Sequence, residues 1–171
     1  MRRSTVLVLS LWALLAGGVA AKPPIPAAVA AYSPAAEYRR GIEALRVGRI
    51  DQAEAAANTI LNVQPQLASG RQLLGLVKVR RGDLVGAVAE FDKALTHDPQ
   101  FIQAREERAV ALARMGQPER ARIDLEALRA RATACARACS PELRKAVSRV
   151  EAALAAGRPV SARDGHGASS S

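Results

Sequence analysis

Two cysteines are the residues of this chain best suited to covalent chemistry. Cys135 and Cys139 are four residues apart, and on a helical turn their α-carbons would lie ~6 Å apart, which a disulfide accepts. In an oxidising compartment we expect such an isolated pair to be bridged. The closed loop is short, so the bridge would pin the neighbouring segments more than it would raise global stability. Free thiols are the alternative; redox or metal chemistry is disfavoured because the spacing is not that of a redox motif and no second ligand pair accompanies it.

Histidine, the usual proton carrier of enzymes, occurs only twice in the sequence. His97 precedes Asp98 at a predicted helix end, where its charge would complement the helix dipole. His166 lies in a polar tail without neighbouring ligands. No glycine-rich phosphate loop or serine elbow is present. The sequence therefore predicts a protein that is not an enzyme and needs neither cofactor nor metal.

Arginine dominates the positive charge of the chain. The 25 basic residues exceed the 16 acidic ones and give a net charge of +9. Such a surface could attract acidic partners, lipid head groups or an anionic envelope polymer, or it could serve solubility alone. Three arginines recur every 34 residues: Arg46, Arg80 and Arg114. Few aromatic residues accompany them, which disfavours nucleic-acid binding.

The same 34-residue period governs glycine, alanine and proline. The clearest copy begins at Ala68, and its landmarks are Gly75, Gly82, Ala87, Phe91, Ala94, Leu95 and Pro99. A copy from Pro34 repeats them as Gly41, Gly48, Ala53, Leu61 and Pro65. A copy from Ile102 repeats them as Ala109, Gly116, Ala121, Leu125 and Leu128, with Thr133 in place of the closing proline. From Pro34 to about Ala134 the sequence resembles a tetratricopeptide repeat protein of an exported bacterial type.

This resemblance implies an all-α fold, a right-handed α-solenoid of three helix pairs. In such a repeat, small residues at positions 8 and 20 let paired helices approach closely, and a glycine at position 15 suits a left-handed turn. One departure concerns position 4, where Glu37, Arg71 and Arg105 replace the usual bulky residue. That departure leaves the packing of the first helices open.

The period also predicts where each helix begins and ends. We expect helices over about 35–47, 51–63, 67–81, 84–96, 101–115 and 118–131. Asp83 is placed to cap the fourth helix, and Pro118 suits the first turn of the sixth. Ser140 and Pro141 predict the start of another helix. The one-sided apolar pattern that follows predicts a capping helix over 141–156. The predicted domain spans 36–156, with repeats at about 34–67, 68–101 and 102–134.

The resemblance further implies that the first helix of each pair lines a concave groove. The residues at the relevant repeat positions are Tyr38, Ile42, Leu45, Arg46, Gln72, Leu76, Val79, Arg80, Glu106, Val110, Ala113 and Arg114. They predict two apolar columns beside an arginine column, suited to a peptide or helix with aliphatic and acidic residues. The lysine and asparagine that clamp a terminal carboxylate in some relatives are replaced by Tyr38 and Ile42, so that mechanism does not transfer. Plain solvated charge, or filling of the groove by residues 25–32, are the alternatives.

The two ends of the chain predict export and a flexible tail. Residues 1–21 have Arg2 and Arg3, an apolar run and small residues before a cleavage point near Ala21, the order of a signal peptide. An uncleaved anchor is the alternative, although the apolar run is shorter than the ~20 residues that span a bilayer. Removal lowers the net charge from +9 to +7, because two arginines and no acid are lost. Residues 22–35 read as a proline-rich linker and 157–171 as a disordered tail.

Together these features predict a non-enzymatic adaptor or scaffold of the bacterial periplasm, or a secreted one. Its partner would be another protein, held in the groove, with no nucleic acid and no integral membrane segment after signal removal. Electrostatic binding of an anionic envelope polymer through the whole basic surface is the alternative function.

Overall fold

The computed structural model describes residues 32–135 and 140–157. The predicted signal peptide, all but the last part of the linker, Cys139, His166 and the tail beyond 157 lie outside these residues. So do residues 25–31 of the segment 25–32, the alternative occupant of the groove. The predictions that depend on them, including the disulfide of Cys135 and Cys139, stay predictions.

The described residues form seven helices and no strand. They are α1 (Pro34–Arg46), α2 (Ile50–Val63), α3 (Ala68–Arg80), α4 (Leu84–His97), α5 (Ile102–Arg114), α6 (Pro118–Cys135) and α7 (Pro141–Ala156). None of these helices is both long and apolar enough to cross a membrane.

The helices stack as three consecutive pairs with one helix added at the end. Within each pair the helices pack on each other, and α2 and α4 also contact the first helix of the next pair. The first helices touch their equivalents, α1 with α3 and α3 with α5. The last helix, α7, packs on both α5 and α6 and so covers the end of the stack. The predicted all-α helical repeat fold with a capping helix is confirmed.

Glycine makes the tight turns and allows helices to cross closely. The turns inside the three pairs each contain a glycine with positive φ, 78° at Gly48, 81° at Gly82 and 71° at Gly116, a region in which other residues are strained. In the second pair, a Cβ on Gly75 would overlap the ring of Phe91, which is fully buried. The absence of a side chain at position 8 therefore lets the aromatic ring fill the space between α3 and α4.

Side-chain capping marks the starts of α4 and α7. Asp83 Oδ1 accepts a hydrogen bond from the amide of Gly86 at 2.8 Å, and this bond holds the pKa of Asp83 below its ordinary value. Ser140 Oγ accepts from the amide of Leu143 at 3.2 Å, ahead of Pro141 in the first turn. Helix α6 continues to Cys135, four residues beyond its predicted end at Arg131, because neither glycine nor proline interrupts residues 126–135.

The arginines at position 4 have a structural role that the repeat pattern did not predict. Arg71 reaches Glu90 at 3.3 Å and the carbonyl of Pro65 at 3.2 Å. Arg105, 34 residues later, makes the equivalent contacts with Asp124 at 3.2 Å and the carbonyl of Pro99 at 2.7 Å. Each arginine thus ties its own second helix to the end of the preceding repeat, in place of the apolar packing usual at this position.

Asp124 also pairs with a second arginine, Arg108. Together with Arg105, these residues form the most buried ionic cluster among the described residues. Arg108 donates to both carboxylate oxygens of Asp124, at 2.6 and 2.8 Å, and to Asp92 at 2.5 Å. The Asp124 side chain is 1% exposed, whereas those of Arg105 and Arg108 are 20% and 21% exposed. The hydrogen bonds with Asp124 raise the pKa of Arg108 above its ordinary value.

Candidate functional site

A groove of about 450 Å³ runs across the first helices of the three pairs. Eight of the twelve residues predicted to line it do so: Ile42, Leu45, Arg46, Leu76, Val79, Arg80, Val110 and Arg114. Aliphatic side chains form its floor, and the three arginines lie at equivalent places near the carboxyl ends of α1, α3 and α5. The 34-residue spacing brings them together because each repeat presents the same face of its first helix.

The residues at position 5 of the three repeats, Tyr38, Gln72 and Glu106, do not line the groove. Tyr38 Oη donates a 2.6 Å hydrogen bond to Oε1 of Gln72, the equivalent residue of the next repeat. Gln72 is 3% exposed and Glu106 is 7% exposed. Burial raises the pKa of the Tyr38 hydroxyl. These side chains are therefore occupied within the stack rather than presented to solvent.

Ala113, the remaining predicted residue, lies in a neighbouring hollow of about 520 Å³ between α5 and α7. This hollow shares Val110 and Arg114 with the groove and is otherwise lined by small residues, Gly116, Ala153, Ala156 and Gly157. The floor thus continues from the repeats onto the capping helix.

The capping helix also contributes a charged residue to the groove that the sequence reasoning missed. Arg149 of α7 lies at the groove and forms ion pairs with Glu106 and, at 3.1 Å, with Glu107. Burial raises the pKa of Glu106 even though Arg149 opposes this shift. No repeat position predicts Arg149, because α7 lies outside the three copies of the 34-residue frame.

The three arginines of the groove differ in what they contact. Arg46 forms two hydrogen bonds with Glu43 on its own helix, Nη2 to Oε1 at 2.6 Å and Nε to Oε2 at 2.8 Å. Arg80 and Arg114 are exposed. Neither side chain has a hydrogen bond or ion pair to any residue of 32–135 or 140–157. Two guanidinium groups over an aliphatic floor are thus available to a carboxylate.

The groove lining lacks the usual nucleophiles, and its carboxylate, that of Glu107, pairs with Arg149. The lining contains arginine, glutamate and aliphatic residues but no histidine, cysteine, serine or tyrosine. His97 is the exposed last residue of α4. Across residues 32–135 and 140–157, no cluster of histidine, cysteine, aspartate and glutamate is placed to hold a metal ion. What the groove offers is binding through apolar contact and charge.

Comparison with known proteins identifies the fold. No protein-family model matches the chain, and no curated protein matches its sequence. Among solved structures, the TPR2B domain of yeast Sti1 in a complex with pHsp70 is similar, with a TM-score of 0.56 and 21% identity over 70% of this chain and 97% of that one. TTC0263, a thermophilic TPR protein of Thermus thermophilus, is similar with a TM-score of 0.57 and 20% identity, over 71% of this chain and 66% of that one.

Both similar structures are tetratricopeptide repeat proteins. The helix pairs of this chain, the positive-φ glycines between them and the groove across the first helices agree with that architecture. The described part of this chain therefore has the tetratricopeptide repeat fold.

Proposed function

We propose that this domain is a non-enzymatic interaction module that holds a segment of another protein in its groove. The observation that carries the proposal is the pairing of an aliphatic floor with two guanidinium groups, those of Arg80 and Arg114, that lack partners among the described residues. An aliphatic floor gains free energy when a partner's apolar side chains cover it. The guanidinium groups favour a partner that also carries carboxylates.

The yeast Sti1 TPR2B domain supports a protein partner by analogy. Its structure is a complex with pHsp70, so this fold can hold a protein ligand. The analogy does not extend to the ligand itself, because the two chains share only 21% identity.

We further propose that the module acts in the bacterial periplasm or outside the cell. The support is the order of charged, apolar and small residues in 1–21. In that compartment Cys135, at the carboxyl end of α6, and Cys139 would be bridged close to the start of α7. Mass spectrometry of the secreted chain, with and without reduction, tests both the cleavage near Ala21 and the bridge.

A site-specific crosslinking experiment tests whether a partner lies in the groove. A photoreactive phenylalanine analogue in place of Val79 is in the groove, whereas the same analogue in place of Ile123 is on the outer face of α6, where the isoleucine is 65% exposed. We expect a discrete crosslinked protein from position 79 and none from position 123, after illumination of cells that export the chain. Equal crosslinking from both positions would contradict a groove-bound partner.

Charge reversal separates a groove partner from an anionic polymer. Changing Arg46, Arg80 and Arg114 together to glutamate should abolish the crosslink while the helical circular dichroism is kept. The matched control changes three exposed arginines elsewhere to glutamate, Arg39, Arg49 and Arg120. If the control variant loses binding to the same extent, the whole basic surface is responsible and the polymer alternative is favoured.

A further inference from the structure

The charges and dimensions of the groove point to a particular kind of occupant. We propose that it binds an amphipathic α-helix with two carboxylates seven residues apart on one flank, which pair with Arg80 and Arg114. This inference rests on the proposed function, since it assumes that the groove holds a partner segment. It adds the conformation, the number of carboxylates and their spacing.

The number of carboxylates follows from which cations are already paired. Arg46 repeats the position of Arg80 and Arg114, but both of its bonds go to Glu43. Arg149 is shared by Glu106 and Glu107. A ligand carboxylate at either place would share a guanidinium group whose charge a glutamate already offsets, whereas no carboxylate of the described residues offsets the charge of Arg80 or Arg114. With respect to the described residues, the groove therefore has two arginines, not four, at which a ligand carboxylate would neutralise an unpaired charge.

The spacing follows from helix packing. Since α3 contacts α5, their axes are about 8–10 Å apart, as for packed helices generally. Arg80 and Arg114 occupy equivalent positions on these helices, so we expect a similar separation between them. In an α-helix that crosses them, residues i and i+7 lie on one face about 10.5 Å apart, whereas i and i+4 are only about 6 Å apart. In an extended strand, residues on one face are about 7 or 13 Å apart, and both spacings lie further from that range than the helical 10.5 Å.

The width of the groove also fits a helix. Glu107 and Arg114 both line it and are seven residues apart on α5, a distance of about 10.5 Å along that helix. This matches the diameter of about 10–12 Å of a helix with its side chains. Leu76 and Val110 provide the apolar floor between the two edges. Because Glu107 would repel a carboxylate, the acidic residues of the ligand belong on the arginine edge alone.

Synthetic helices test this proposal directly. The probe is a fluorescently labelled 15-residue peptide with leucine at the first, fourth, eighth, eleventh and fifteenth positions and glutamate at the fifth and twelfth, on a background of alanine and glutamine. Its matched control has the same composition with the second glutamate moved to the ninth position. Binding to the full exported chain is measured by fluorescence anisotropy, and the helicity of both peptides by circular dichroism.

We expect the first peptide to bind about fivefold more tightly than the control, the factor expected for one exposed ion pair. Arg80→Gln and Arg114→Gln should each weaken its binding by a similar factor. Arg39→Gln, the matched control variant, changes an exposed arginine outside the groove lining and should leave it unchanged. Equal binding of the two peptides, or an equal effect of all three variants, would overturn the proposal.

The outcomes also separate this proposal from the function on which it rests. If neither helix binds but a cellular partner is still crosslinked from position 79, the helical acidic occupant is wrong and the interaction module stands. If neither helix binds and no partner is crosslinked, both are wrong. Selective binding of the first peptide that is lost in Arg80→Gln supports both.

Discussion

Replacing Asp124 by asparagine tests whether the buried ionic cluster holds the third repeat together. Asp124 accepts hydrogen bonds from Arg105 and Arg108, and its side chain is 1% exposed. Asparagine keeps the size of the side chain but removes its charge and turns one acceptor into a donor. Two arginines would then be left without their shared carboxylate in a mostly buried place.

The expected loss can be estimated from that burial. Breaking a buried ion pair by removing one partner costs about 3–5 kcal/mol. The lower end applies, because Arg105 and Arg108 are 20% and 21% exposed and water can partly replace the carboxylate. We therefore expect Asp124→Asn to lower the free energy of unfolding by about 3 kcal/mol. In a domain of this size that corresponds to a fall in Tm of about 12 °C.

Urea and thermal unfolding followed by circular dichroism at neutral pH measure this loss, and two variants calibrate it. Glu90 occupies the equivalent position one repeat earlier, but its partners Arg71 and Lys93 are 24% and 52% exposed. Glu90→Gln should therefore cost less, about 1–2 kcal/mol. Glu119→Gln removes a carboxylate that is 81% exposed and should cost under about 0.5 kcal/mol. A loss below about 1 kcal/mol for Asp124→Asn, or a larger loss for Glu90→Gln, would refute the reasoning.

Three further predictions concern single side chains. Gly75→Ala should lower the free energy of unfolding by about 1–2 kcal/mol, since overlap with the Phe91 ring outweighs the gain in helix propensity; greater resistance to urea would show that the ring can move aside. Asp83→Ala should cost about 1 kcal/mol through loss of the α4 cap, and Asp83→Ser should recover most of it in thermal unfolding. Because the folded pKa of Glu106 is raised above 4.5, the native state holds its proton more tightly, so stability falls as pH rises from about 4.5 through the folded pKa. Glu106→Gln should therefore gain stability relative to the wild type between about pH 4 and 7, and a constant difference across that range would contradict the assigned burial.

Much of the fold could be predicted because its determinants are local and repeated. The glycines at 48, 82 and 116 require positive φ, and a polar cap or a proline marks several helix ends. These are constraints within a few residues of chain, so they can be read one position at a time. The recurrence at 34 residues then implies that equivalent faces stack, which placed eight of the twelve predicted residues in the groove.

Which side chains of the site pair with one another was harder to predict from the sequence. Glu43 and Arg46 are three residues apart on α1, so their contact could have been predicted from helical spacing. The hydrogen bond between Tyr38 and Gln72 joins the first repeat to the second. It depends on which side-chain rotamers the packed helices allow. A repeat position states which face a residue is on, but not whether a neighbour has already used its polar atoms.

The sequence by itself determined the helix pairs, their turns and the face that carries the arginines, because each depends on local chemistry repeated at a regular interval. Only the tertiary structure decided that Arg149 reaches the groove, since α7 follows the repeats out of register and its place is set by packing on α5 and α6. It also decided that Arg71 and Arg105 each join a carboxylate 19 residues away in the same repeat to a carbonyl at the end of the preceding repeat. Such contacts arise from the docking of surfaces, and no spacing along the chain encodes them.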